Sequence, residues 1–186
     1  MEISETFYAA DRDEWRRWLL ENYKTATEIW LVNPLKHSGL PRVPYNDAVE
    51  EALCFDWIDS TNKKLDENRN AQRFSPRRPR SGYSQTNKER LRRLVEQGKV
   101  MPEFLEKVNG VLAEEFVFPA DIEAALRANE RAWENFQSYS GAYQRIRVAY
   151  VDWGRRRPGE FEKRLKNLIE KTEQGKQFGF GIEDFY

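Results

Sequence analysis

A stretch rich in arginine and proline, residues 72–84 with the sequence QRFSPRRPRSGYS, is the part of the chain best suited to chemistry. It holds four arginines, two prolines and two aromatic residues. A guanidinium group presents its N–H donors in a fixed fork that matches the oxygen atoms of a phosphate or a carboxylate. The stretch therefore predicts a contact with an anion. Its arginines are Arg73, Arg77, Arg78 and Arg80.

The two prolines keep this stretch out of a helix and favour an extended backbone. Pro76 and Pro79 fix their own φ angles and restrict the residues before them. A stiff backbone lowers the entropy that is lost when several guanidinium groups are held in one arrangement. In a β-strand Arg78 and Arg80 share a face, whereas in a polyproline II helix Arg77 and Arg80 do. Either pair could bind a phosphate or a carboxylate with two parallel hydrogen bonds.

The alternative is that the arginines bind carboxylates of the protein itself. Asp59 lies in WIDSTNKKL, the strand predicted to pair with the start of the arginine stretch. Depending on the length of the intervening loop, Asp59 lies opposite Pro76 and reaches Arg78, or lies opposite Ser75 and reaches Arg77. In either case the arginines would tie the hairpin to the next helix instead of binding a ligand.

The helix predicted over QTNKERLRRLVEQ carries further positive charge. Glu89 and Glu96 stand three or four positions from Arg92 and Arg93, so we expect local pairs on a solvated face. Asn87 differs because it shares a face with Leu91 and Leu94. A buried amide must find hydrogen bonds, so we expect Asn87 to be a structural clamp first and a ligand contact second. The basic residues are Lys88, Arg90, Arg92 and Arg93.

Residues that support catalysis or metal binding are sparse. His37 is the only histidine and Cys54 the only cysteine, and the cysteine lies on an apolar helix face where we expect an inert core thiol. One histidine and one cysteine do not make a zinc site, so we expect no metal and no cofactor. Asp56 and Asp59 point to opposite faces of a strand because they are three positions apart. Asp59 alone remains as the general base of an enzymatic alternative.

The composition argues against several classes of protein, among them those that attract nucleic acid by a large net charge and those that span a membrane. Lys and Arg together number 31, and so do Asp and Glu, so no global field attracts nucleic acid or a membrane surface. No apolar run approaches the roughly 18 residues that span a bilayer, and a single cysteine excludes an intrachain disulfide. We expect a soluble cytoplasmic protein with no membrane span. Its six tryptophans predict a core of large rings whose polar edges need partners.

Apolar patterns predict the elements that must position the arginines. Strands are expected at TFYAA and TEIWLVNP, and a hairpin joins WIDSTNKKL to NAQRFSP. The pattern of the sequence changes near residues 110–120. After this point only helices are expected, and one of them has an apolar stripe. The fold class predicted is α+β, with an antiparallel sheet and helices in residues 1–112 and a small all-α region in residues 113–186. The stripe is formed by Tyr143, Ile146, Tyr150 and Trp153.

Residues 50–87 resemble the YdeI/OmpD-associated family, also called the bacteriocin-protection or OmdA family. The family pattern is similar to A-L-C-x-G-W-I-D-G followed by Q-R-F-[TS]-P-R-R-P-R-S-x-W-S-x-x-N. Residues 52–54 and 57–59 match its first part, and residues 72–81 match its second part. The later stretch FPADIEAALRANERAWENF also resembles the family. The chain departs from the pattern at three positions, which are Asp56 and Ser60 in place of glycines and Tyr83 in place of a tryptophan.

The resemblance implies a YjbR/CyaY-like N-terminal part, a helical C-terminal part and a bacterial cytosolic protein. The names of the family associate it with envelope stress and with bacteriocin or peptide resistance, and they imply no catalytic activity. The two lost glycines imply a less open turn around Trp57 or a filled pocket.

We therefore expect a non-enzymatic protein that binds an anionic small molecule or a peptide beside the end of the hairpin. One alternative is binding of single-stranded nucleic acid through the same arginines and rings, which the zero net charge disfavours. The other is a small-molecule enzyme with Asp59 as its base. The candidate ligand-binding residues are Trp57, Asp59, Arg73, Arg77, Arg78, Arg80, Ser81, Tyr83 and Asn87.

Overall fold

The structure, a computed structural model, describes residues 2–79 and 81–186, which form two compact units. The first unit holds the described residues up to Tyr83 together with Arg90–Leu112. The second holds Ser84–Glu89 and Ala113–Tyr186. All the strands assigned in the described residues lie in the first unit, and the second is built from helices. The predicted fold class, α+β with a helical C-terminal region, is confirmed.

The first unit contains a four-stranded mixed sheet in the order β1-β2-β4-β3. We expected an antiparallel sheet, and strands β2, β4 and β3 are antiparallel, but β1 runs parallel to β2. Helix α1, Arg12–Asn22, connects β1 to β2. Parallel neighbours need such a crossover because a tight turn cannot join them. The strands are β1 (Thr6–Tyr8), β2 (Ile29–Pro34), β3 (Trp57–Lys64) and β4 (Arg69–Pro76).

The β3–β4 hairpin forms as predicted, but both registers that we considered for Asp59 are wrong. Asp59 lies opposite Phe74, because the pairing shifts between Asp59 and Asn62. Two residues of β3, Ser60 and Thr61, occupy the space that one residue of β4 fills. Such a β-bulge bends the strand and re-aims its side chains. The bulge therefore moves Asp59 out of the two regular registers in which it would have reached Arg77 or Arg78.

Three further helices complete the first unit, and four helices form most of the second. Two of the helices begin at side-chain N-caps of the types that helix starts favour: Asp11 accepts a hydrogen bond from the backbone of Glu14, and Ser140 accepts one from Tyr143. The helices are α2 (Tyr45–Cys54), α3 (Gln85–Glu96, whose first residues belong to the second unit), α4 (Leu105–Leu112), α5 (Ala120–Arg127), α6 (Glu130–Ser138), α7 (Gly141–Trp153) and α8 (Glu160–Glu173).

Tryptophans form the centre of the first core, as the composition predicted. Trp15 and Trp57 are almost completely buried, and Trp18 stacks on Trp15 with ring centroids 5.5 Å apart. The indole N–H groups of Trp15 and Trp57 are satisfied by the backbone, since Trp15 donates to Ala48 at 3.0 Å and Trp57 donates to Tyr23 at 3.4 Å, whereas the buried Nε1 of Trp30 has no hydrogen-bond partner among the described residues. The rings of Trp15 and Trp57 thus bury a large apolar area without leaving their donors unpaired.

The apolar stripe predicted for α7 is only half right. Tyr143 and Ile146 are buried, but the rings of Tyr150 and Trp153 lie at the surface. There the guanidinium groups of Arg164 and Arg156 lie over these rings, at 4.2 Å from Tyr150 and 3.4 Å from Trp153. Amphipathic aromatics tolerate such positions. The smaller side chains of Val148 and Val151 are buried in their place.

In the part of the chain that the structure describes, no helix is both long and apolar enough to span a membrane.

The junction of α7 and α8 gives a test of this packing. A Cβ atom at Gly154 would lie 3.0 Å from the backbone N and Cα of Phe161, which cannot move as a side chain can. Gly154→Ala should therefore lower the free energy of unfolding by about 1–3 kcal/mol, measured by urea denaturation. Gly110→Ala is the control, because nothing lies within 4 Å of that position in α4, and it should stabilise the protein by about 0.5–1 kcal/mol. Unchanged stability in Gly154→Ala would contradict the close approach of the two helices.

Candidate functional site

The arginine–proline stretch lies at the end of strand β4 and in the segment before α3. The strand ends at Pro76, and the backbone N–H of Ser81 donates to the carbonyl of Arg78 at 2.9 Å. This hydrogen bond closes a β-turn with Pro79 at its second position. The stretch is therefore not extended along its whole length, and our expectation of one straight backbone is wrong. Arg80 lies outside the described residues.

Arg73 is used inside the protein. Its Nε and Nη2 atoms donate to Glu28 Oε2 at 2.8 and 2.5 Å, and its Nη1 donates to Ser60 at 3.3 Å. Hydrogen bonds from Ser4 and Arg73 lower the pKa of Glu28. Arg73 thus joins β4 to the residue before β2. It forms the kind of internal ion pair that the alternative interpretation of the stretch predicted.

Arg77 is buried, and none of its side-chain surface is exposed. Its Nη1 donates to the carbonyl of Gly82 at 2.9 Å, and its guanidinium lies 3.9 Å from the centroid of the Tyr83 ring. The carboxylate of Asp56 is 3.8 Å from Nε, and the backbone N–H of Arg77 donates to the Asp56 carbonyl at 2.8 Å. Burial lowers the pKa of Arg77. Among the described residues, its Nε and Nη2 have no hydrogen-bond acceptor.

Asp56 adopts a left-handed backbone conformation, with φ at 56°. This is the position where the resemblance led us to expect glycine. A left-handed conformation costs an ordinary L-residue about 1–2 kcal/mol, although aspartate tolerates it better than most. The chain therefore keeps the backbone that a glycine would permit and adds a carboxylate. That carboxylate lies in the turn directly before Trp57.

The Asp56 carboxylate is held on both of its oxygens. The hydroxyl of Tyr83 donates to Oδ1 at 2.5 Å, and Lys107 Nζ donates to Oδ2 at 2.5 Å. Burial and the hydrogen bond to Asp56 raise the pKa of Tyr83, so the phenol stays protonated. We call Asp56, Arg77, Tyr83 and Lys107 the Asp56 cluster. In it two cations share one carboxylate, which leaves a local excess of positive charge.

Arg78 is the described arginine of the stretch that faces solvent. Its side chain is exposed and makes no hydrogen bond, ion pair or ring contact with the described residues. Its backbone is held by the turn to Ser81 and by the anchored Arg77 before it. The result is a solvent-facing guanidinium on a restrained backbone, next in sequence to a cluster with excess positive charge.

Asp59 forms its hydrogen bonds with neutral groups. Its Oδ2 accepts from the hydroxyl of Tyr45 at 3.0 Å and from the amide of Gln72 at 3.3 Å. Burial and the charge of Asp59 raise the pKa of Tyr45 to about 12. Both partners are groups of the protein itself that donate to Oδ2, so this geometry lends no support to Asp59 as a catalytic base.

The remaining predicted site residues differ in accessibility. Trp57 is 1% exposed and packs edge-on against Trp18, so its ring is a core element and not a stacking platform. Ser81 is half-buried and participates in the turn. Asn87 is half-buried in the first turn of α3, where its backbone N–H donates to the Ser84 hydroxyl at 3.3 Å.

The solvated face predicted for α3 is wrong. Arg90 is only 4% exposed and donates to the side chain of Asn46 at 2.9 Å, while Glu89 is 3% exposed and accepts two hydrogen bonds from Arg145, both at 2.7 Å. Arg93 pairs with the buried Glu50 of α2. The charges of α3 thus pair with residues distant in sequence, which spacing within one helix cannot reveal.

Lys107 is the member of the Asp56 cluster that sequence reasoning missed. It is 51 residues from Asp56 and lies in a different element, so no motif or spacing indicates the contact. Among residues 2–79 and 81–186, no group of three or more His, Cys, Asp or Glu side chains is arranged to hold a metal ion.

The backbone and the charge of Asp56 can be tested separately. Asp56→Ala should destabilise the protein by about 3–5 kcal/mol, since it leaves the buried Arg77 without its carboxylate. Asp56→Gly loses the same carboxylate but suits the positive φ, so it should be more stable than the alanine variant by about 1 kcal/mol. Urea denaturation measures both differences. Equal stability of the two variants would contradict the left-handed backbone, and wild-type stability in both would contradict the role of the charge.

The thiol of Cys54 should be unreactive in the folded protein. It is fully buried, and burial together with the charge of Glu51 raises its pKa to about 11. The contribution of this protonated thiol to stability is complete below the ordinary thiol pKa of about 8.5 and is lost as the pH rises through the folded value. At mildly alkaline pH, a disulfide reagent such as DTNB should label the thiol only after denaturant is added. Rapid labelling of native protein would show that the thiol is accessible.

Two protein families match the chain in comparisons with known proteins. Residues 7–107, more than half of the chain, match the family described as domain of unknown function DUF8412. Residues 115–175 match the family described as bacteriocin-protection, YdeI or OmpD-associated. This second match supports the resemblance seen in FPADIEAALRANERAWENF, whereas the arginine–proline stretch falls within the first match. No curated protein and no solved structure matched.

The YjbR/CyaY-like resemblance of the first part stays a prediction. The chain belongs to the DUF8412 family over its first part, and residues 115–175 match the model of the bacteriocin-protection, YdeI or OmpD-associated family.

Proposed function

We propose that this protein is a non-enzymatic anion-binding protein that contacts an anionic small molecule or an acidic peptide through Arg78 and the solvent-facing side of the Asp56 cluster. The observation that carries the proposal is the difference in environment among the arginines of the arginine–proline stretch. Arg73 and Arg77 are occupied inside the protein, whereas Arg78 is exposed and has no partner among the described residues.

Lys107 adds a second accessible cation. Its side chain is 39% exposed, and its ammonium group lies 5.9 Å from the Tyr83 ring while it binds Asp56. A carboxylate or phosphate arriving near Arg78 meets a positive potential to which Arg77 also contributes from below the surface. Charge-assisted hydrogen bonds are about twice as strong as neutral ones, so a few such groups suffice for modest affinity.

An anionic peptide or small molecule suits this geometry better than single-stranded nucleic acid does. Nucleic-acid binding of that kind needs exposed rings on which bases stack. The ring of Trp57 is buried, and one face of the Tyr83 ring is covered by the Arg77 guanidinium. We further propose that the protein acts in the cytoplasm, and that its binding activity relates to the envelope-stress and bacteriocin-resistance associations of the YdeI/OmpD-associated family.

Arg78→Ala should weaken anion binding by about tenfold, the value of one hydrogen bond to a charged group. Calorimetric titration with pyrophosphate and with a hexaglutamate peptide measures the change. Arg69→Ala is the matched control, because Arg69 is an exposed arginine of β4 that already pairs with Asp66 at 2.6 Å. The affinity of the wild-type protein should also fall as salt is added, since exposed charges are screened.

Two results would contradict the proposal. The first is the absence of saturable binding to either probe. The second is an equal loss of affinity in Arg78→Ala and Arg69→Ala, which would show that affinity depends on the net charge of the protein and not on the position of Arg78. Tighter binding of oligothymidylate than of either probe, lost in Arg78→Ala, would replace the proposal with the nucleic-acid alternative.

A further inference from the structure

The second unit contains an apolar cavity that the proposed anion site does not use. Helices α5, α6 and α7, together with Phe118 before α5, line a half-open space of about 200 Å³. Its floor is formed by Leu126, Phe136 and Val148, which are 1%, 2% and 0% exposed, and its mouth by the half-buried rings of Phe118 and Trp133. An apolar cavity of about 150 Å³ is enough to bind benzene. The cavity therefore has room for a small aromatic molecule.

The ring at the mouth is held in place. The guanidinium of Arg127 lies 4.0 Å from the centroid of the Trp133 ring, and the same guanidinium donates to the carboxylate of Glu123. The Trp133 ring is also nearly parallel to the ring of Phe136, with an interplanar angle of 26° and centroids 6.2 Å apart. These contacts fix flat aromatic surfaces along the cavity before any ligand arrives, which reduces the entropy lost on binding.

The two polar residues of the cavity offer acceptors and no spare donors. Gln144 uses both hydrogens of its amide nitrogen, which donate to the carbonyls of Phe136 at 2.9 Å and Tyr139 at 3.0 Å. Its carbonyl oxygen has no partner among the described residues. Both hydrogen bonds from Arg127 go to Oε1 of Glu123, at 3.0 and 2.7 Å. The Glu123 Oε2 atom therefore remains as a charged acceptor.

We propose that this cavity binds a small planar aromatic molecule that carries an N–H donor. The ring lies against Trp133 and the apolar floor, and the N–H donates to Oε2 of Glu123. An anionic ligand is disfavoured because it would bring its charge to a carboxylate and to an amide oxygen. This site lies in a different unit from the Asp56 cluster, and its test is independent of the anion-binding proposal.

Indole and benzofuran form a matched pair of probes, because they have nearly the same shape and differ in an N–H group against an ether oxygen. Indole should bind saturably, with a dissociation constant between about 10 µM and 1 mM for a ligand of this size. Benzofuran should bind about fivefold more weakly, because it cannot donate. NMR titration of the tryptophan side-chain N–H signals reports both affinities, and the signal that disappears in Trp133→Phe should be the one that moves most.

Glu123→Ala tests the acceptor. It should weaken indole binding by about tenfold and remove the preference for indole over benzofuran. Glu134→Ala on α6 is the control, since it makes the same change at an exposed position. No saturable binding of indole, equal binding of indole and benzofuran to the wild-type protein, or an equal effect of the two alanine variants would overturn the proposal.

Discussion

The burial of a charged guanidinium, that of Arg77, is the constraint on which the proposed site depends. A buried charge is tolerated only when it is compensated, and here the compensation comes from three directions. The Gly82 carbonyl accepts a hydrogen bond, the Tyr83 ring lies over the guanidinium, and the Asp56 carboxylate provides the opposite charge. Asp56 can do so only because its backbone turns into the left-handed region between α2 and β3. The buried arginine thus gives a reason for a carboxylate at a position whose backbone angle suits glycine.

The same constraint separates the arginines into structural and ligand-facing groups. Because Arg77 is anchored and Pro79 restricts the turn that follows, the backbone of Arg78 is held in place and its side chain is left in solvent. Pro79 contributes by restricting a turn, whereas Pro76 ends the extended strand β4. The anion contact that we propose is accordingly smaller than a row of arginines, and consists of one exposed guanidinium supported by the Lys107 ammonium group.

Much of the architecture could be predicted from the sequence, because local patterns determine it. The caps at Asp11 and Ser140, the β3–β4 hairpin and the helical second part all follow from residue types at fixed spacing. The parallel pairing of β1 was missed, although the chain between β1 and β2 is long enough for the helical crossover that parallel strands need. The bulge at Ser60 and Thr61 could not be predicted, because residues 59–64 are all polar, so no apolar alternation marks the shift in pairing. The bulge moves Asp59 out of both registers that we considered, although the charge of Asp59 still acts on Arg77.

The composition of the site was less predictable than the fold. Asp56 in place of an expected glycine was a real signal, because aspartate is among the few residues that tolerate a positive φ. Lys107 gave no signal, since a contact across 51 residues depends on the packing of the whole unit. The prediction that Glu89 and Arg90 lie on a solvated face of α3 was wrong for the same reason. Their partners, Arg145 and Asn46, are distant in sequence and come near only in the folded chain.

The most direct test of this division between the arginines is NMR of the side-chain Nε–H signals of Arg77 and Arg78, recorded with and without pyrophosphate. The Arg77 signal should exchange slowly with water and keep its position, because the group is buried. The Arg78 signal should exchange quickly and shift as the anion binds. If the Arg77 signal exchanges as fast as that of Arg78, or if pyrophosphate shifts Arg77 and leaves Arg78 unchanged, the buried-anchor interpretation is wrong.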